Sequence, residues 1–318
     1  MIPSLPRPAW LRTATAAYLA AFLAFLFLPL IIVAVFAFND APYPAPPWRG
    51  FTLDWFSGNA PMGRTGLFGD GDLLRSIWTS CIVAFWVTLL SVLIGTCNAF
   101  LIERGRFFGK QALSILMLAP LVIPGVILGI SILAFASRIA DFADDVLGLE
   151  WDFLRPGLSL VVLGQFSYIA TIATLTIGAR LKRFDRTLEE AAANLGASKP
   201  AVFRTILLPY LRPALLGSAA ISFLMSFADF NTTLILVGAD SPLTVMMYGR
   251  MREGASPVLN AVSLFLMLAS AVLALTFMGG GSVRGKGTNS PRDAAPAGDL
   301  VNRLLPAISG AKCRDTAH

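Results

Sequence analysis

Histidine and cysteine are almost missing from this chain. The one histidine is the last residue, His318, and the three cysteines are Cys81, Cys97 and Cys313. Cys81 and Cys97 lie on one predicted helix, about 24 Å apart at the helical rise, which is far beyond disulfide reach. A metal centre needs clustered ligands, and a serine protease of the Ser/His kind needs a histidine base. The scarcity therefore excludes a serine protease of this kind and a His/Glu metalloprotease, and no metal site is expected.

Charged residues are also scarce, and no phosphate-binding loop of the Walker type occurs. Charged residues make up 14% of the chain and hydrophobic residues 56%, whereas soluble domains have about 25% charged residues. So few polar side chains cannot cover a soluble core of this size, which indicates a membrane protein. Without a Walker loop the chain is not expected to be an enzyme that hydrolyses ATP. A separate subunit would have to bind ATP and Mg, and this chain would bind no cofactor.

Six hydrophobic runs are long enough to cross a bilayer, which takes about 20 helical residues. They are residues 16–38, 77–101, 112–136, 157–178, 214–237 and 259–279. The first run is longer than the core of a secretory signal, about 7–15 residues, so we expect an uncleaved anchor. The sequence thus predicts an all-α membrane protein with six transmembrane helices. An even number of crossings places both termini on the same side.

Basic residues are unevenly divided between the two sides of these spans. Of the 25 lysines and arginines, 18 fall on the side of the termini and 7 on the other side, where the connection 137–156 is acidic. Cytoplasmic connections are rich in lysine and arginine. The rule places both termini and the connection 179–213 in the cytoplasm. The net charge of +6 therefore reflects topology rather than nucleic-acid binding.

The basic connection after the fourth span carries helix-capping signals. Thr187 followed three residues later by Glu190 is a capping box, which predicts a short helix that begins near Leu188. A run of alanines continues this helix at little entropic cost. Gly196 can take the left-handed conformation that ends a helix. The sequence therefore predicts a short, well-bounded helix in this connection.

A second short helix is predicted directly after that turn. Ser198 or Lys199 would cap it, and Pro200 is tolerated in its first turn. Pro209 lacks an amide hydrogen and would end or kink the helix. Together the two predictions describe a compact helix-turn-helix between the fourth and fifth spans.

The same connection carries a longer motif. Glu190-Ala191-Ala192 is followed after three residues by Gly196, and after nine more by Ile206-Leu207-Leu208-Pro209. This spacing resembles the EAA loop of the inner-membrane permease subunits of bacterial ABC importers. The resemblance implies that the loop docks on an ATPase and couples ATP hydrolysis to transport through five residues: Glu190, Ala191, Gly196, Ile206 and Pro209. Without the resemblance, these residues would only cap and turn an ordinary connector.

Further motifs between about residue 17 and residue 279 are similar to the spermidine/putrescine permeases of that group. They are Phe38-Asn39, Trp48, Gly50-Phe51-Thr52, Trp55-Phe56, the segment 119–124, Arg180-Leu181-Lys182, Phe184-Asp185, Ser256-Pro257 and Asn260-Ala261. The resemblance implies a type I importer permease of the bacterial inner membrane, and a polyamine-type solute. It divides the chain into an N-terminal segment with the first span (1–76), a permease domain (77–279) and a cytoplasmic tail (280–318). The tail composition predicts disorder.

The resemblance also implies partners. They are a second permease subunit, two ABC ATPase subunits and a periplasmic substrate-binding protein, all assembled at the lipid bilayer without nucleic acid. ATP and Mg would be bound by the ATPase subunits. Whether the permease pair is a heterodimer or a homodimer stays open.

Polar side chains inside the fifth span are the candidates for a substrate path. Ser218, Ser222, Ser226, Asp229 and Thr233 recur every three or four residues and share one face of the predicted helix. Asp229 is the only acidic residue deep in a predicted span, where charge is costly and usually functional. We expect the path to include Ser222, Ser226, Asp229 and Thr233. The alternatives are helix packing for the hydroxyls and a structural bond to a neighbouring span for Asp229.

Two other spans carry signals of packing and bending. The fourth span has a row of small residues that is interpreted as a packing face: Gly164, Ser167, Thr171, Thr174 and Gly178. Pro120 and Pro124 interrupt the third span and are expected to kink it.

The substrate class has an alternative. Polyamine-type permeases tend to carry an acid where this chain has Gly125, and paired acids where it has Ala228 before Asp229. A cavity for a polycation needs carboxylates to replace lost hydration. An uncharged or anionic solute, of the opine, phosphonate or thiamine type, is therefore the alternative cargo. A secondary transporter and a passive channel are more distant alternatives, and neither has a use for an EAA loop.

Overall fold

The structure of the protein, a computed structural model, describes residues 9–57, 65–254 and 256–282. The chain divides into a unit of Met1–Met278 and a unit of Gly279–His318, and only residues 279–282 of the second unit are described. Within the described residues the regular structure is helical, apart from one isolated antiparallel bridge between Asn39 and Phe51. The predicted all-α class is confirmed.

The described part of the chain contains eleven α-helices. They are α1 (Ala9–Phe36), α2 (Gly71–Arg104), α3 (Lys110–Val122), α4 (Gly125–Leu147), α5 (Leu158–Lys182), α6 (Thr187–Asn194), α7 (Lys199–Val202), α8 (Leu208–Ala228), α9 (Asn231–Leu236), α10 (Leu243–Glu253) and α11 (Val258–Ser282). A 3-10 turn, Asp152–Leu154, precedes α5, and a π-helical turn, Phe203–Leu207, joins α7 to α8. Six helical segments have the length and hydrophobicity to cross a membrane, as predicted: Trp10–Phe36, Gly71–Arg104, Gly125–Leu147, Leu158–Lys182, Lys199–Ala228 and Val258–Thr276.

The third span differs from the single helix predicted over 112–136. It is divided between α3 and α4 by an extended residue, Ile123, with φ −75° and ψ 129°. Pro124 follows, and proline disfavours the helical conformation of the residue before it, so the predicted kink is a complete break. The spanning helix is α4, which continues to Leu147. The connection 137–156, expected to be a loop, is therefore helical over its first half.

The fifth span is also broken. The helical segment ends at Ala228, Asp229 is extended with φ −67° and ψ 125°, and a new short helix begins at Asn231. The Asp229 carboxylate accepts a hydrogen bond from the Thr233 amide, at 3.0 Å, and so caps the new helix instead of continuing the old one. The continuous helix predicted over 214–237 is therefore wrong beyond Ala228.

The centre of the bundle is formed by α2, α5 and α8. The closest approach is at Gly95 of α2, where a Cβ atom would lie 2.8 Å from Ala173 Cβ and 3.0 Å from the Thr174 amide nitrogen, both on α5. The described side chains 10–32 of α1 are all exposed, so α1 contributes little to this core. The packing predicted for the fourth span agrees with two contacts: Gly164 against Leu236, and the Thr171 hydroxyl donating to the Met117 carbonyl at 2.7 Å.

The connection after α1 folds around one buried amide side chain. Asn39 is 2% exposed. Its Oδ1 accepts from the Arg49 amide at 2.8 Å, its Nδ2 donates to the Pro47 carbonyl at 3.2 Å, and its own carbonyl accepts from Trp55 Nε1 at 2.9 Å. These bonds connect Asn39 and Trp55, two of the motif residues of this segment, directly to one another.

The last helix runs past residue 279, the predicted end of the sixth span. α11 continues through Gly279, Gly280 and Gly281 to Ser282, although the disordered tail was expected from residue 280. Glycine is more frequent in membrane helices than in soluble ones, so composition placed the end too early. The rest of the predicted tail, 283–318, lies outside the described residues.

Candidate functional site: the loop helices and the Asp229 network

The first of the loop helices, as we call α6 and α7, begins differently from its prediction. Thr187 is already the first helical residue, and Arg186 before it makes no side-chain capping bond. Asp185 Oδ1 instead accepts a hydrogen bond from the Thr187 amide at 3.0 Å. The capping box of Thr187 and Glu190 is therefore wrong, because Asp185 supplies the local acceptor two residues earlier. The bonds from the amide and then the hydroxyl of Thr187 lower the pKa of the Asp185 carboxyl.

The end of α6 follows its prediction. Gly196 has a φ of +84°, in the left-handed region. Its amide donates to the Ala193 carbonyl at 2.9 Å, and the Ala197 amide donates to the Ala192 carbonyl at 3.0 Å, which is the bond pair of a Schellman motif. A Cβ at Gly196 would meet no atom within 4 Å. Glycine is required here by the backbone angle and not by lack of space.

The second loop helix is the extension of the fifth span. α7 follows Ser198, and Pro200 lies in its first turn as predicted. The π-helical turn then carries the chain into α8 without interruption, with the Leu208 amide bonded to the Phe203 carbonyl. Pro209 falls in the first turn of α8, directly after this wider turn, where a proline is tolerated. Of the two expectations for Pro209, an end to the helix is therefore wrong, and the helix is instead disturbed at the π-helical turn directly before it.

The structure places three of the five predicted coupling residues on α6 and the turn after it, and the other two, Ile206 and Pro209, where α7 continues into α8. Glu190, Ala191 and Gly196 are exposed on α6 and its turn, and Pro209 is exposed at the start of α8. Ile206 is partly buried and packs against a hydrophobic cluster, which consists of Leu181, Phe184, Leu207 and Leu211. The motif thus has an exposed part on α6 and an anchored part at Ile206.

An ion pair that the sequence did not suggest holds α6 to the end of α2. Arg104 Nη1 lies 2.7 Å from Glu189 Oε2, and Arg104 Nη2 lies 2.6 Å from Glu189 Oε1, so the guanidinium and carboxylate form a two-bond fork. The Arg104 guanidinium also lies over the Phe100 and Phe184 rings, at 5.5 and 5.8 Å from their centroids. The partners are 85 residues apart in sequence, so no local pattern could reveal the pair.

A cavity of about 400 Å³ lies between the loop helices and the end of α2. It is lined by both glutamates, Glu189 and Glu190, by Lys199 and by the apolar side chains Phe100, Val202 and Phe203. The motif residue Glu190 therefore borders a recess with charges of both signs, directly beside the Arg104–Glu189 pair.

Asp229 lies in a hydrogen-bonded group with α5 and α9, which we call the Asp229 network: Gln165, Tyr168, Ser226, Asp229 and Thr233. Asp229 Oδ2 accepts from the Thr233 amide (3.0 Å), the Thr233 hydroxyl (2.8 Å) and Gln165 Nε2 (3.5 Å). Asp229 Oδ1 accepts from the Tyr168 hydroxyl at 3.1 Å. Gln165 Nε2 also donates to Thr233 Oγ1 at 2.8 Å, and Gln165 Oε1 accepts from the Ser226 hydroxyl. The network fastens the break in the fifth span to α5.

The predicted path residues differ in accessibility. Ser222, Ser226 and Thr233 are 0%, 3% and 1% exposed within this chain alone, whereas Asp229 is only partly buried. The Ser222 hydroxyl has no hydrogen-bond partner among the described residues. Gln165 and Tyr168 were missed in the sequence, although an amide side chain inside an apolar span is itself a signal of function or of a specific bond.

The breaks in the third and fifth spans lie side by side. A Cβ at Gly125, the first residue of α4, would lie 3.1 Å from Asn231 Cβ and 3.4 Å from Thr232 Oγ1. One turn further along, a Cβ at Gly129 would lie 3.1 Å from Ile235 Cβ. Gly125 is therefore in contact with α9 at Asn231, which follows Asp229 by two residues in the chain.

At its other end, α2 is fastened to α10. Asp70 caps α2 by accepting from the Leu73 amide at 3.0 Å, and Arg250 of α10 donates to both carboxylate oxygens, at 2.5 and 3.0 Å. The bonds from Arg250 are the main cause that lowers the pKa of the Asp70 carboxyl, and the same bonds raise the pKa of Arg250. The pair is therefore charged at neutral pH.

Residues 91–283 match the family described as binding-protein-dependent transport system inner membrane component. The chain is 28% identical over 251 residues to the spermidine/putrescine transport system permease protein PotC of Haemophilus influenzae, which covers 79% of this chain and 89% of that protein. It is 27% identical over 265 residues to PotC of Escherichia coli K12 (83% and 92% covered), and 26% identical over 251 residues to the putrescine transport system permease protein PotI of the same strain (78% and 84% covered).

Solved structures agree on the fold. A bacterial ABC transporter involved in the import of the acidic polysaccharide alginate superposes with a TM-score of 0.65 at 18% identity, covering 87% of this chain and 96% of that one. The same kind of transporter in complex with its alginate pentasaccharide-bound periplasmic protein gives 0.66 at 17% identity, with 88% and 96% covered. These likenesses establish the type I importer permease architecture. Since the family match spans more than half of the chain, this protein belongs to the inner-membrane components of binding-protein-dependent transport systems.

Proposed function

We propose that this permease subunit forms half of the path for a small organic solute of the polyamine type, and that its loop helices couple transport to ATP hydrolysis on a separate subunit. The observation that carries the coupling role is the exposure of Glu190, Ala191 and Gly196 on α6 and the turn after it, with the glycine at a φ of +84°. The solute class is supported by the relatives, which are permeases for spermidine and putrescine.

The protein is a multi-pass permease subunit of the bacterial inner membrane, and its family works with a further permease, ATPases and a periplasmic binding protein. We propose two ATPase subunits that hold ATP and Mg, and one second permease that is either identical or different. The excess of lysine and arginine supports a cytoplasmic position for the termini and for the loop helices. In that position the motif would be within reach of an ATPase.

Within the predicted path, we propose that Asp229 meets the solute and that its neighbours position it. Oδ2 already accepts three hydrogen bonds, whereas within the described part of the chain Oδ1 accepts only the one from Tyr168. A carboxylate oxygen with a free lone pair is suited to a protonated amine. Ser226 and Thr233 hold the amide of Gln165 and the carboxylate in place, and Ser222 packs between helices.

An uncharged solute is the second candidate. A single carboxylate whose oxygens already accept four hydrogen bonds can replace little of the hydration of a polycation. Gly125 adds no further carboxylate at the adjoining break. Competition of spermidine, putrescine and uncharged solutes in one uptake assay separates the two candidates.

The coupling role is tested with Gly196→Asp and Glu190→Lys, in the complex with its partner subunits. Both variants should abolish ATP-dependent uptake of labelled putrescine while the protein remains in the membrane. A side chain at φ +84° strains the turn, and both changes alter charge on the docking surface. The matched controls are Gly109→Asp, at a φ of +85° in the connection between α2 and α3, and Glu150→Lys, an exposed acid far from the motif. Normal uptake by both motif variants, or an equal loss in the controls, contradicts the proposal.

A further inference from the structure

We infer that the Arg104–Glu189 pair is the side-chain link through which movement of α6 reaches the transmembrane bundle. This inference rests on the proposed coupling function and assigns a positioning role to two residues outside the EAA motif. Glu189 directly precedes the motif, and Arg104 is the last residue of α2.

The geometry of the pair suits a mechanical link. Two parallel hydrogen bonds of 2.7 and 2.6 Å fix the guanidinium and carboxylate in one plane, which a single bond would not do. The two side chains are only 26% and 24% exposed. The rings of Phe100 and Phe184, at 5.5 and 5.8 Å from the guanidinium carbon, restrict its rotation and partly shield it from water. The pair is thus far more constrained than an ordinary surface ion pair.

Few other contacts connect α6 to the bundle. None of its residues from Thr187 to Asn194 is buried, and Leu188 is 51% exposed. One further side-chain bond is found in the described residues, from Arg186 Nη2, just before α6, to the Glu103 carbonyl at 3.3 Å. That contact is exposed and single. A force applied to α6 therefore reaches the bundle through the chain at its two ends and through the Arg104–Glu189 pair.

The helix that receives this force, α2, contacts other helices along its length and can transmit the force to them. α2 is 34 residues long, or about 50 Å at the helical rise. It packs against α5 so closely that a Cβ at Gly95 would clash with Ala173. At its far end, Asp70 is held by Arg250 of α10. α10 in turn contacts the break in the fifth span, because the Thr244 hydroxyl donates to the Asp229 carbonyl at 2.9 Å.

The pair also has favourable electrostatics in this arrangement. Arg104 lies in the last turn of α2 and Glu189 in the first turn of α6. A cation at a helix C-terminus and an anion at a helix N-terminus are each stabilised by the helix dipole. If the two side chains are exchanged, the ion pair is kept but the stabilisation by the helix dipoles is lost. Exchange should therefore restore the function of the pair only in part.

The experiment measures solute transported per ATP hydrolysed, using the full complex in proteoliposomes with binding protein and putrescine. Arg104→Ala and Glu189→Ala should each lower this ratio by about tenfold, with ATP hydrolysis retained. The double exchange Arg104→Glu with Glu189→Arg should recover part of the ratio. Arg104→Lys should be intermediate, because an ammonium group cannot form the fork. The matched control is Arg106→Ala, which removes a neighbouring exposed cation and should leave the ratio unchanged.

The outcomes separate this inference from the proposed function. If Gly196→Asp abolishes uptake but Arg104→Ala and Glu189→Ala transport at the normal ratio, the link is overturned and the coupling loop stands. If all of these variants transport normally, both proposals fail. If the alanine variants do not insert, Glu189→Gln, which keeps the size of the side chain and removes its charge, gives the same decision. The link is also overturned if the double exchange transports no more solute per ATP hydrolysed than Arg104→Ala or Glu189→Ala alone.

Discussion

The Asp229 carboxylate is held by its own chain before any solute arrives. Three of its four hydrogen bonds converge on Oδ2, from the Thr233 amide, the Thr233 hydroxyl and Gln165. These bonds fix the plane of the carboxylate and leave Oδ1 as the more available oxygen, beside Tyr168. A residue that caps a helix and a residue that binds a cation can therefore be the same residue, with one oxygen for each role.

Asp229→Asn and Tyr168→Phe distinguish these two oxygens. In Asp229→Asn the amide oxygen can keep the bonds to Thr233, but the negative charge is lost. KM for putrescine should therefore rise about tenfold, which is the effect of losing one hydrogen bond to a charged group. Tyr168→Phe keeps the charge and frees Oδ1, so KM should change less. Ser270→Ala is the control, since that exposed hydroxyl donates to the Leu266 carbonyl of its own helix, α11, and is not among the predicted path residues. KM values measured from initial uptake rates decide, and an unchanged KM in Asp229→Asn refutes the amine contact.

Single residues in the coupling loop show what a sequence can and cannot predict. Gly196 was predicted correctly, because a left-handed helix end depends on the residue at that position and its neighbours. The prediction that Thr187 forms a capping box with Glu190 was wrong, because Asp185 accepts the hydrogen bond from the Thr187 amide. The Arg104–Glu189 pair was missed altogether, because it depends on how two distant helices meet.

At the scale of elements, the sequence predicted the number of spans better than their continuity. Hydrophobicity alone identifies a run that can cross the membrane, and all six runs were found. The breaks at Ile123 and Asp229 depend on local backbone chemistry within those runs. Pro124 was recognised as a disturbance, but the capping of α9 by Asp229 was not, because an acid in an apolar run was interpreted only as a path residue.

The contact between α2 and α5 provides a stability test at this scale. Gly95→Ala places a Cβ 2.8 Å from Ala173 Cβ and 3.0 Å from a backbone nitrogen, so the helices must separate, at a cost of about 1–3 kcal/mol. Gly178→Ala, on α5, meets its nearest atoms at 3.9 Å and should be neutral or slightly stabilising, because alanine favours a helix. Thermal unfolding of the purified protein in detergent measures both. Equal melting temperatures would show that the two helices do not pack this closely.

At the scale of the molecule, two ion pairs mark opposite ends of the bundle. Arg104 joins the end of α2 to α6, and Asp70 joins its start to Arg250 of α10. Because successive predicted spans cross the membrane in opposite directions, the connections around Arg104 and α6 were expected on one side and those around Asp70 and Arg250 on the other. The structure agrees with this arrangement, although which end faces the cytoplasm follows only from the distribution of lysine and arginine.

The orientation can be tested by labelling single cysteines. With Cys81, Cys97 and Cys313 replaced by serine, Leu195→Cys introduces a thiol at an 89% exposed position beside Gly196, and Leu149→Cys introduces one at a 49% exposed position after α4. In spheroplasts, a membrane-impermeant maleimide should label Leu149→Cys only. After permeabilisation it should also label Leu195→Cys, and more slowly when the ATPase is co-expressed, because the ATPase would cover that turn. Labelling of Leu195→Cys in intact spheroplasts would place the EAA motif outside the cell, where no ATPase could bind it.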